Sequence, residues 1–410
     1  MYLLFFVCIF YLTLRRILIK YGMKNFKALA DFYLEQLLSD TLPFWEEHSL
    51  DKKYGGYYTC LDRKGNVYDT DKFMWLQGRQ IWTFSMLYNR LEKREEWLNV
   101  AKHGVDFITK HGRDQKGNSY FSLNREGKPL IQPYSIFSDC FACMGLAQYS
   151  LASGDKKAEA MALETFYNIL KKQKNPSGQY TKAYPGTRPL RSFATPMILS
   201  NLVMELGSLL DKKMVEKTID EAVDNVMNIF YDKKTGLVFE HVLANGKHSD
   251  SFKGRLINPG HTIEAMWFMM DIFEKRNDQK NIEKACDIAM RTLKFGWDKE
   301  FGGIYYFKDV KGNPTEQLEW DQKLWWVHLE TLITLIKGYR LTGRKDMLIW
   351  FEKIHNYSWK RFHDEKHGEW FGYLNRRGDV LLPLKGGKWK GCFHLPRAQL
   401  VISKELEKLS

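Results

Sequence analysis

Cysteine is scarce. Six residues in 410, Cys8, Cys60, Cys140, Cys143, Cys286 and Cys392, are too widely spaced for a disulfide framework. The one C-x-x-C, Cys140–Cys143, lies in an apolar helical stretch and lacks the second pair that a zinc site needs. Free thiols in a reducing, cytoplasmic compartment are expected, with no metal and no redox role. Also missing is any basic block interleaved with aromatics. The net charge is +13, but Arg15, Arg16 and Lys20 supply three of these charges ahead of Met23. The remainder is scattered over solvated helix faces, as at Lys156–Lys157 and Lys171–Lys172, so no nucleic-acid partner is expected. A small anion such as a nucleotide stays compatible. No apolar run reaches a membrane span: Tyr2–Leu14 falls short of the roughly 20 residues required and lacks a basic leader and a cleavage site. Residues 1–22 read as a dispensable extension, with a short membrane anchor as the alternative. No Ser/Pro-rich linker interrupts residues 23–410, which read as one domain.

What the chain has in abundance is aromatic surface, with 13 Trp, 21 Tyr and 26 Phe. Most of these rings are needed for a core; the surplus suits a cleft for a polyhydroxylated ligand. The chain also has repeats. Six turn segments centre on Gly56, Gly117, Gly178, Gly236, Gly303 and Gly368, at intervals of 61, 61, 58, 67 and 65 residues, each followed within three residues by an aromatic. Four of them continue into a second turn signal (Gly65, Gly127, Gly312, Gly378), the pattern of a short hairpin. Before each turn lies an amphipathic helical pattern: 26–46, 95–110, 156–172, 213–230, 280–296 and 345–361. After each lies a more apolar one: 72–90, 136–152, 192–210, 261–275, 321–341 and 393–408. Amphipathic helices suit an outer ring and apolar ones an inner ring. The expectation is an all-α (α/α)6 toroid of twelve helices, with short β-hairpin loops at one mouth over the N-termini of the inner helices.

The stretch Ile257-Asn258-Pro259-Gly260-His261-Thr262-Ile263-Glu264 is a turn running into a helix start. Its His261 and Glu264 are three apart and share one face. A base and a carboxylate there form a plausible proton-transfer site. Gly391-Cys392-Phe393-His394-Leu395-Pro396-Arg397 has the same form. These stretches, together with Asp71–Gln80, Arg188–Met197 and Trp320–Glu330, resemble the N-acylglucosamine 2-epimerase family, which includes renin-binding protein. The resemblance covers about residues 24–405 and keeps the motif order.

It implies an (α/α)6 barrel interconverting N-acetylglucosamine and N-acetylmannosamine without a metal or redox cofactor. It also implies ATP as an allosteric activator in many members, and a homodimer. The motif histidines fall on His261 and His394, the motif arginine on Arg79, and the carboxylates on Glu264 and Glu330.

Inverting C2 of a sugar means opening the ring, removing a proton alpha to the C1 carbonyl, and returning it on the other face. Two bases on opposing sides are the direct solution, and imidazole, with a pKa of about 6.5, suits both roles. Arg79 can stabilise the enediolate oxygen, and Glu264 and Glu330 can orient a histidine or hold hydroxyls. Trp75, Trp325 and Trp389 could stack on the pyranose, with Gln77, Arg191 and Asn258 expected to contact it. His241 and His328 read as supporting or structural residues. His48, His103, His111, His355, His363 and His367 read as solvated surface, and Cys392 as packing.

Three other functions remain open. Cellobiose 2-epimerases and mannose isomerases share the fold, but carry a further histidine where this chain has Ser192-Phe193-Ala194-Thr195-Pro196. A glycoside hydrolase would need two carboxylates about 5–9 Å apart flanking a bond. A non-catalytic renin-binding protein would have no use for His261, His394 and Arg79.

Overall fold

Residues 25–173, 184 and 186–410 are described by the structure, a computed structural model. The N-terminal extension with Cys8, and the turn around Gly178, lie outside the described residues. Phe26–Gln36, a π-helical turn Leu37–Thr41 and Leu42–His48 run on as one helix, α1, whose inner partner α2 is Met74–Arg90. The pairs continue as α3 (Glu95–His111) with α4 (Ile136–Ser153), and α5 (Lys156–Lys172) with α6 (Ala194–Leu206). Next come α7 (Lys212–Asp224, lengthened by a π turn Asn225–Ile229) with α8 (Pro259–Lys275), and α9 (Gln279–Gly296) with α10 (Trp325–Thr342). The last pair is α11 (Lys345–Arg361) with α12 (His394–Glu407).

The two classes of helix differ as their patterns require. In α10 every residue from Trp325 to Gly338 is buried, whereas outer α7 buries only Thr218, Ile219 and Ala222. Each fully buried Leu or Phe contributes roughly 1.5–3 kcal/mol, so the inner ring carries most of the hydrophobic stabilisation. Outer helices α5, α7 and α9 start at Asp155, Asp211 and Asp278, whose carboxylates accept backbone N–H groups of the first turn.

Around the ring, α2 packs on α4, α4 on α6, α6 on α8, α8 on α10 and α10 on α12. Closure comes from Thr83 of α2, which donates to the Cys392 carbonyl at 2.8 Å, and from the Trp82 and Phe393 rings, 5.0 Å apart. This closure also brings α11 against α1. His355, expected at the surface, is therefore buried: its Nδ1 meets the Tyr33 hydroxyl at 2.8 Å, and burial lowers its pKa to about 4. An isolated helix pattern cannot show which outer helix its polar face will meet.

Among the described residues, short antiparallel ladders stitch four of the repeats to the next. Lys72–Phe73, just ahead of α2, pairs with Ser122–Leu123 of the following loop, which folds back through Pro129–Ile131. Lys323–Leu324, Tyr373–Leu374 and Val380–Leu382 repeat the arrangement ahead of α10. Leu190–Ser192 pairs with His241–Leu243, and Leu256–Ile257 with Lys308–Asp309. Within the fourth loop, Tyr231–Asp232 pairs with Leu237–Val238.

A recurring ion cluster reinforces the stitching. Buried Asp51 holds Lys72 at 3.0 Å and Arg125 of the next loop at 3.0 Å. Asp298 holds Lys323 at 3.0 Å and Arg376 at 3.2 Å. Asp364 holds Lys385 at 3.1 Å and Arg63, from the first repeat, at 2.7 Å. The third cluster closes the circle. Such buried pairs fix registration more than they add stability, although removing one partner would cost about 3–5 kcal/mol. No described helix is long and apolar enough to cross a membrane.

Candidate active site

The site is assembled where inner helices start. Asn258 caps α8, its side-chain oxygen accepting the His261 N–H at 3.0 Å, and Pro259 takes the first helical position, where no N–H is needed. Gly260 is required by close approach: a Cβ there would come within 2.6 Å of the Trp326 ring and 2.8 Å of Val327. This contact seats α8 against α10 and sets His261 beside the Trp326 indole, with ring centroids 5.4 Å apart. His394, the first residue of α12, packs on the same indole at 5.7 Å. The two imidazoles, from helices distant in sequence, therefore share one aromatic wall.

Each imidazole is backed by a carboxylate. His261 Nδ1 lies 3.0 Å and 3.1 Å from the two oxygens of Glu240. His394 Nδ1 lies 2.8 Å from Glu330, whose other oxygen accepts the Trp267 indole N–H at 2.9 Å. With Nδ1 occupied, Nε2 is the nitrogen each ring can offer to a ligand. Arg397 Nη2 bridges Glu264 at 2.5 Å and Glu330 at 2.7 Å. Glu264, Glu330 and His394 present atoms within 4.8 Å of one another, a spacing that would suit a metal ion. Arg397 already supplies the cation between the two carboxylates. The same bridge engages one oxygen of Glu264, while both Glu330 oxygens are taken, by Arg397 and His394 and by Trp267.

The two imidazoles are tuned in opposite directions. Burial works against the charged form of His261, but Glu240, then Glu264, outweigh it, and the pKa is raised. His394 is held well below the ordinary value, first by burial and then by the charges of Arg79 and Arg397. The shifts make His261 the readier proton carrier of the two and His394 the readier lone-pair donor. Environments that push two groups apart in this way assign acid and base.

Arg79 on α2 completes the arrangement. Its guanidinium lies over Phe141, Trp75 and Phe393 at 4.0, 4.4 and 4.7 Å, and burial lowers its pKa to about 9. Its Nε has no hydrogen-bond partner, and no ion pair among the described residues holds it. A buried, unpaired cation close enough to act on the His394 imidazole is suited to a developing anion.

The other expected ligand contacts divide. Trp389, half exposed, stands edge-on to Trp75 at 5.4 Å, and the Trp75 indole donates to the Lys388 carbonyl at 3.2 Å. Trp325 is buried and meets His394 edge-on at 6.0 Å, so it supports the ring from behind. Asn258 is fully buried as a cap. Gln77 is also fully buried, its amide spanning the main chain of Tyr57 with two bonds of 2.8 Å. Arg191 donates to Asn225 in the π turn after α7. It lines a separate cavity of about 1660 Å³ that contains neither His261 nor His394.

His328 is structural: Ile304 N–H donates to its Nε2 at 3.1 Å, its Nδ1 meets the Leu324 carbonyl at 2.8 Å, and burial lowers its pKa to about 3. The five described cysteines are free and buried. Cys392 is packed, its thiol pushed up by burial.

Three participants escaped the sequence reading: Glu240, Trp326 and the bridging role of Arg397. Glu240 follows the Gly236 turn, two residues past the paired Val238, at a position where the first two repeats have Thr59 and Phe121. Its N–H donates to the Leu256 carbonyl at 3.0 Å, and its carbonyl accepts from Phe193 N–H at 2.9 Å. A carboxylate replacing an uncharged residue at a fixed repeat position, next to a ladder, was the available signal.

A twelve-helix toroid that brings two carboxylate-backed imidazoles and an unpaired guanidinium together is an acid–base enzyme. Comparison with known proteins narrows that class. The family model described as N-acylglucosamine 2-epimerase (GlcNAc 2-epimerase) matches residues 56–398. The chain is 37% identical to the N-acylglucosamine 2-epimerase of Bos taurus over 91% of its own length and 90% of that protein's. It is 26% identical to the cellobiose 2-epimerase of Dictyoglomus turgidum, covering 93% and 100% of the two chains. The solved cellobiose 2-epimerase of Bacillus thermoamylovorans B4167 superposes with a TM-score of 0.80 at 22% identity, over 92% and 99% of the chains, and so shares the fold. The chain belongs to the N-acylglucosamine 2-epimerase family and is an isomerase, an epimerase acting on carbohydrate.

Proposed function

We propose that this enzyme interconverts N-acetyl-D-glucosamine and N-acetyl-D-mannosamine. The substrate class is supported by the identity to the Bos taurus protein. The observation that carries the chemistry is the pair of oppositely tuned imidazoles on one indole wall. The pyranose opens to expose the C1 aldehyde. His394 Nε2 takes the C2 proton, and the C–H electron pair becomes an enediolate whose oxygen faces Arg79. His261 then delivers its Nε2 proton to C2 from the opposite face. Turnover in the other direction starts with the two protonation states exchanged. Glu240 and Glu330 hold the Nδ1 protons, while Trp75 and Trp389 flank the sugar. No metal or redox cofactor is required. A homodimer, a cytoplasmic location and a nucleotide activator are proposed on the family resemblance.

The substrate is tested by incubating the enzyme with N-acetylmannosamine, cellobiose and mannose in parallel, each with and without ATP. N-acetylglucosamine should accumulate from the first, with little change in the others. Conversion of cellobiose or of mannose alone would overturn the assignment.

Glu240→Gln tests the tuning. Removing that carboxylate lets the His261 pKa fall, so the proton is lost at lower pH and the alkaline limb of the kcat profile should move down. An unmoved limb would contradict the dyad. The same linkage makes the His261–Glu240 pair stabilise the fold fully below about pH 6.5, with that contribution lost as pH rises through the raised value.

A further inference from the structure

Helix α12 delivers His394, yet its start lacks the supports the other inner helices have. Helices α2, α6, α8 and α10 each follow a short paired strand, and α4 is capped by the Ser135 side chain. Phe393, at the α12 cap position, offers no side-chain hydrogen bond, and no strand lies within residues 383–393. Besides the bonds from Thr83 and Trp75 to its carbonyls and those from Lys385 and Gly386 to the Leu61 carbonyl, this segment is held by a buried ion pair. Lys390, 1% exposed, is bonded through Nζ to the Glu369 carboxylate and donates to the Lys385 carbonyl at 2.7 Å. Its ammonium lies over the Trp325 ring at 5.8 Å, and Trp325 backs His394 edge-on at 6.0 Å. The chain from Glu369 to the imidazole is thus Lys390, then Trp325 and the Gly391–Phe393 main chain.

Glu369 stands, one residue before the bridged Trp370, where the first and fifth repeats have glycine. The first and fifth turns place Gly56 and Gly303 at φ +69° and +76°; the sixth places Glu369 at φ +55°. A side chain there strains the backbone, which persists only when its surroundings hold it. Those surroundings consume the carboxylate completely: besides Lys390 it accepts the Trp370 N–H at 2.7 Å and the Trp45 indole N–H at 3.4 Å. A strained, buried carboxylate whose charged partner lies four residues before a site histidine has a use that packing alone does not supply.

We propose that Glu369, acting through Lys390, is a positioning residue for His394. This rests on the two-histidine reading, and it predicts an asymmetric defect. Misplacing His394 harms proton transfer on one face of C2 and spares the other face.

The test compares wild type, Glu369→Gln and the double variant Glu369→Gly with Lys390→Met, using N-acetylmannosamine and N-acetylglucosamine separately. Melting temperature, kcat, KM and C2 deuterium wash-in from each epimer are measured. Glu369→Gln should lower kcat by about 10- to 100-fold with KM within about twofold. Wash-in should fall mainly for the epimer that His394 deprotonates, identified as the one that no longer exchanges in His394→Asn. The double variant removes both charges and the strained φ, so its melting temperature should recover while kcat stays low. Recovery of kcat together with melting temperature, or an equal loss of wash-in from both epimers, would overturn the proposal. Absence of wash-in in the wild type would instead sink the epimerase reading itself.

Discussion

His394→Asn should lower epimerisation by about 1000-fold or more while the circular dichroism spectrum and melting temperature stay close to wild type. The imidazole is the member of the pair whose pKa is lowered, and in the proposed mechanism its Nε2 is the base that starts one direction of turnover. A positioned general base contributes roughly 10²–10⁴ in rate. Asparagine retains a hydrogen-bonding group towards Glu330 and Arg397, so the buried carboxylate is not left without a partner. The informative result lies in the residual chemistry. With one base gone, C2 exchange in D2O should persist only for the epimer whose proton faces the surviving His261. His261→Asn should produce the mirror pattern. Loss of exchange from both epimers in both variants would mean that the two rings do not serve opposite faces.

Arg79→Met is expected to separate activity from stability. Arg79 is 9% exposed, its guanidinium sits among Trp75, Phe141 and Phe393, and no carboxylate among the described residues is ion-paired to it. Burying an unpaired cation is costly, and cation–π contacts return only about 0.5–2 kcal/mol. Methionine fills similar space without that cost, so the melting temperature should hold or rise. Turnover should fall by about 10²–10³-fold, the loss of roughly 3 kcal/mol expected when one donor to a developing oxyanion is removed. KM should change far less than kcat, because the charge it meets exists only in the transition state. A large drop in melting temperature with modest loss of kcat would mark Arg79 as structural.

The sequence made the architecture legible because the repeat is written twice, once in the glycine-marked turns and once in the alternation of amphipathic and apolar helices. Each of the twelve helical patterns became a helix, and the largest departures at helix ends involve the π turn after α7 and the short α6, which stops at Leu206. The proposed catalytic pair could be singled out because both histidines follow turns into apolar helices. Glu240 was not, since its partner His261 lies 21 residues away and the contact depends on a two-strand ladder meeting the mouth. Gln77 and Asn258 lie within recognisable motifs, yet both Gln77 polar atoms and the Asn258 Oδ1 are spent on main chain, leaving the Asn258 Nδ2 without a partner among the described residues. Motif membership does not reveal whether a side chain faces the ligand or the loop that frames it. The third ion cluster, and His355 between α11 and α1, depend on ring closure, which joins residues more than 300 positions apart.

The central claim, that two imidazoles reach one sugar carbon from opposing faces, is tested most directly by isotope wash-in. The enzyme is incubated with N-acetylmannosamine in D2O to equilibrium, and proton NMR is read at C2 of both epimers. The account predicts deuterium at C2 of N-acetylglucosamine from the first turnover, followed by its appearance in the recovered N-acetylmannosamine. Formation of the epimer with the original C2 proton quantitatively retained would contradict it.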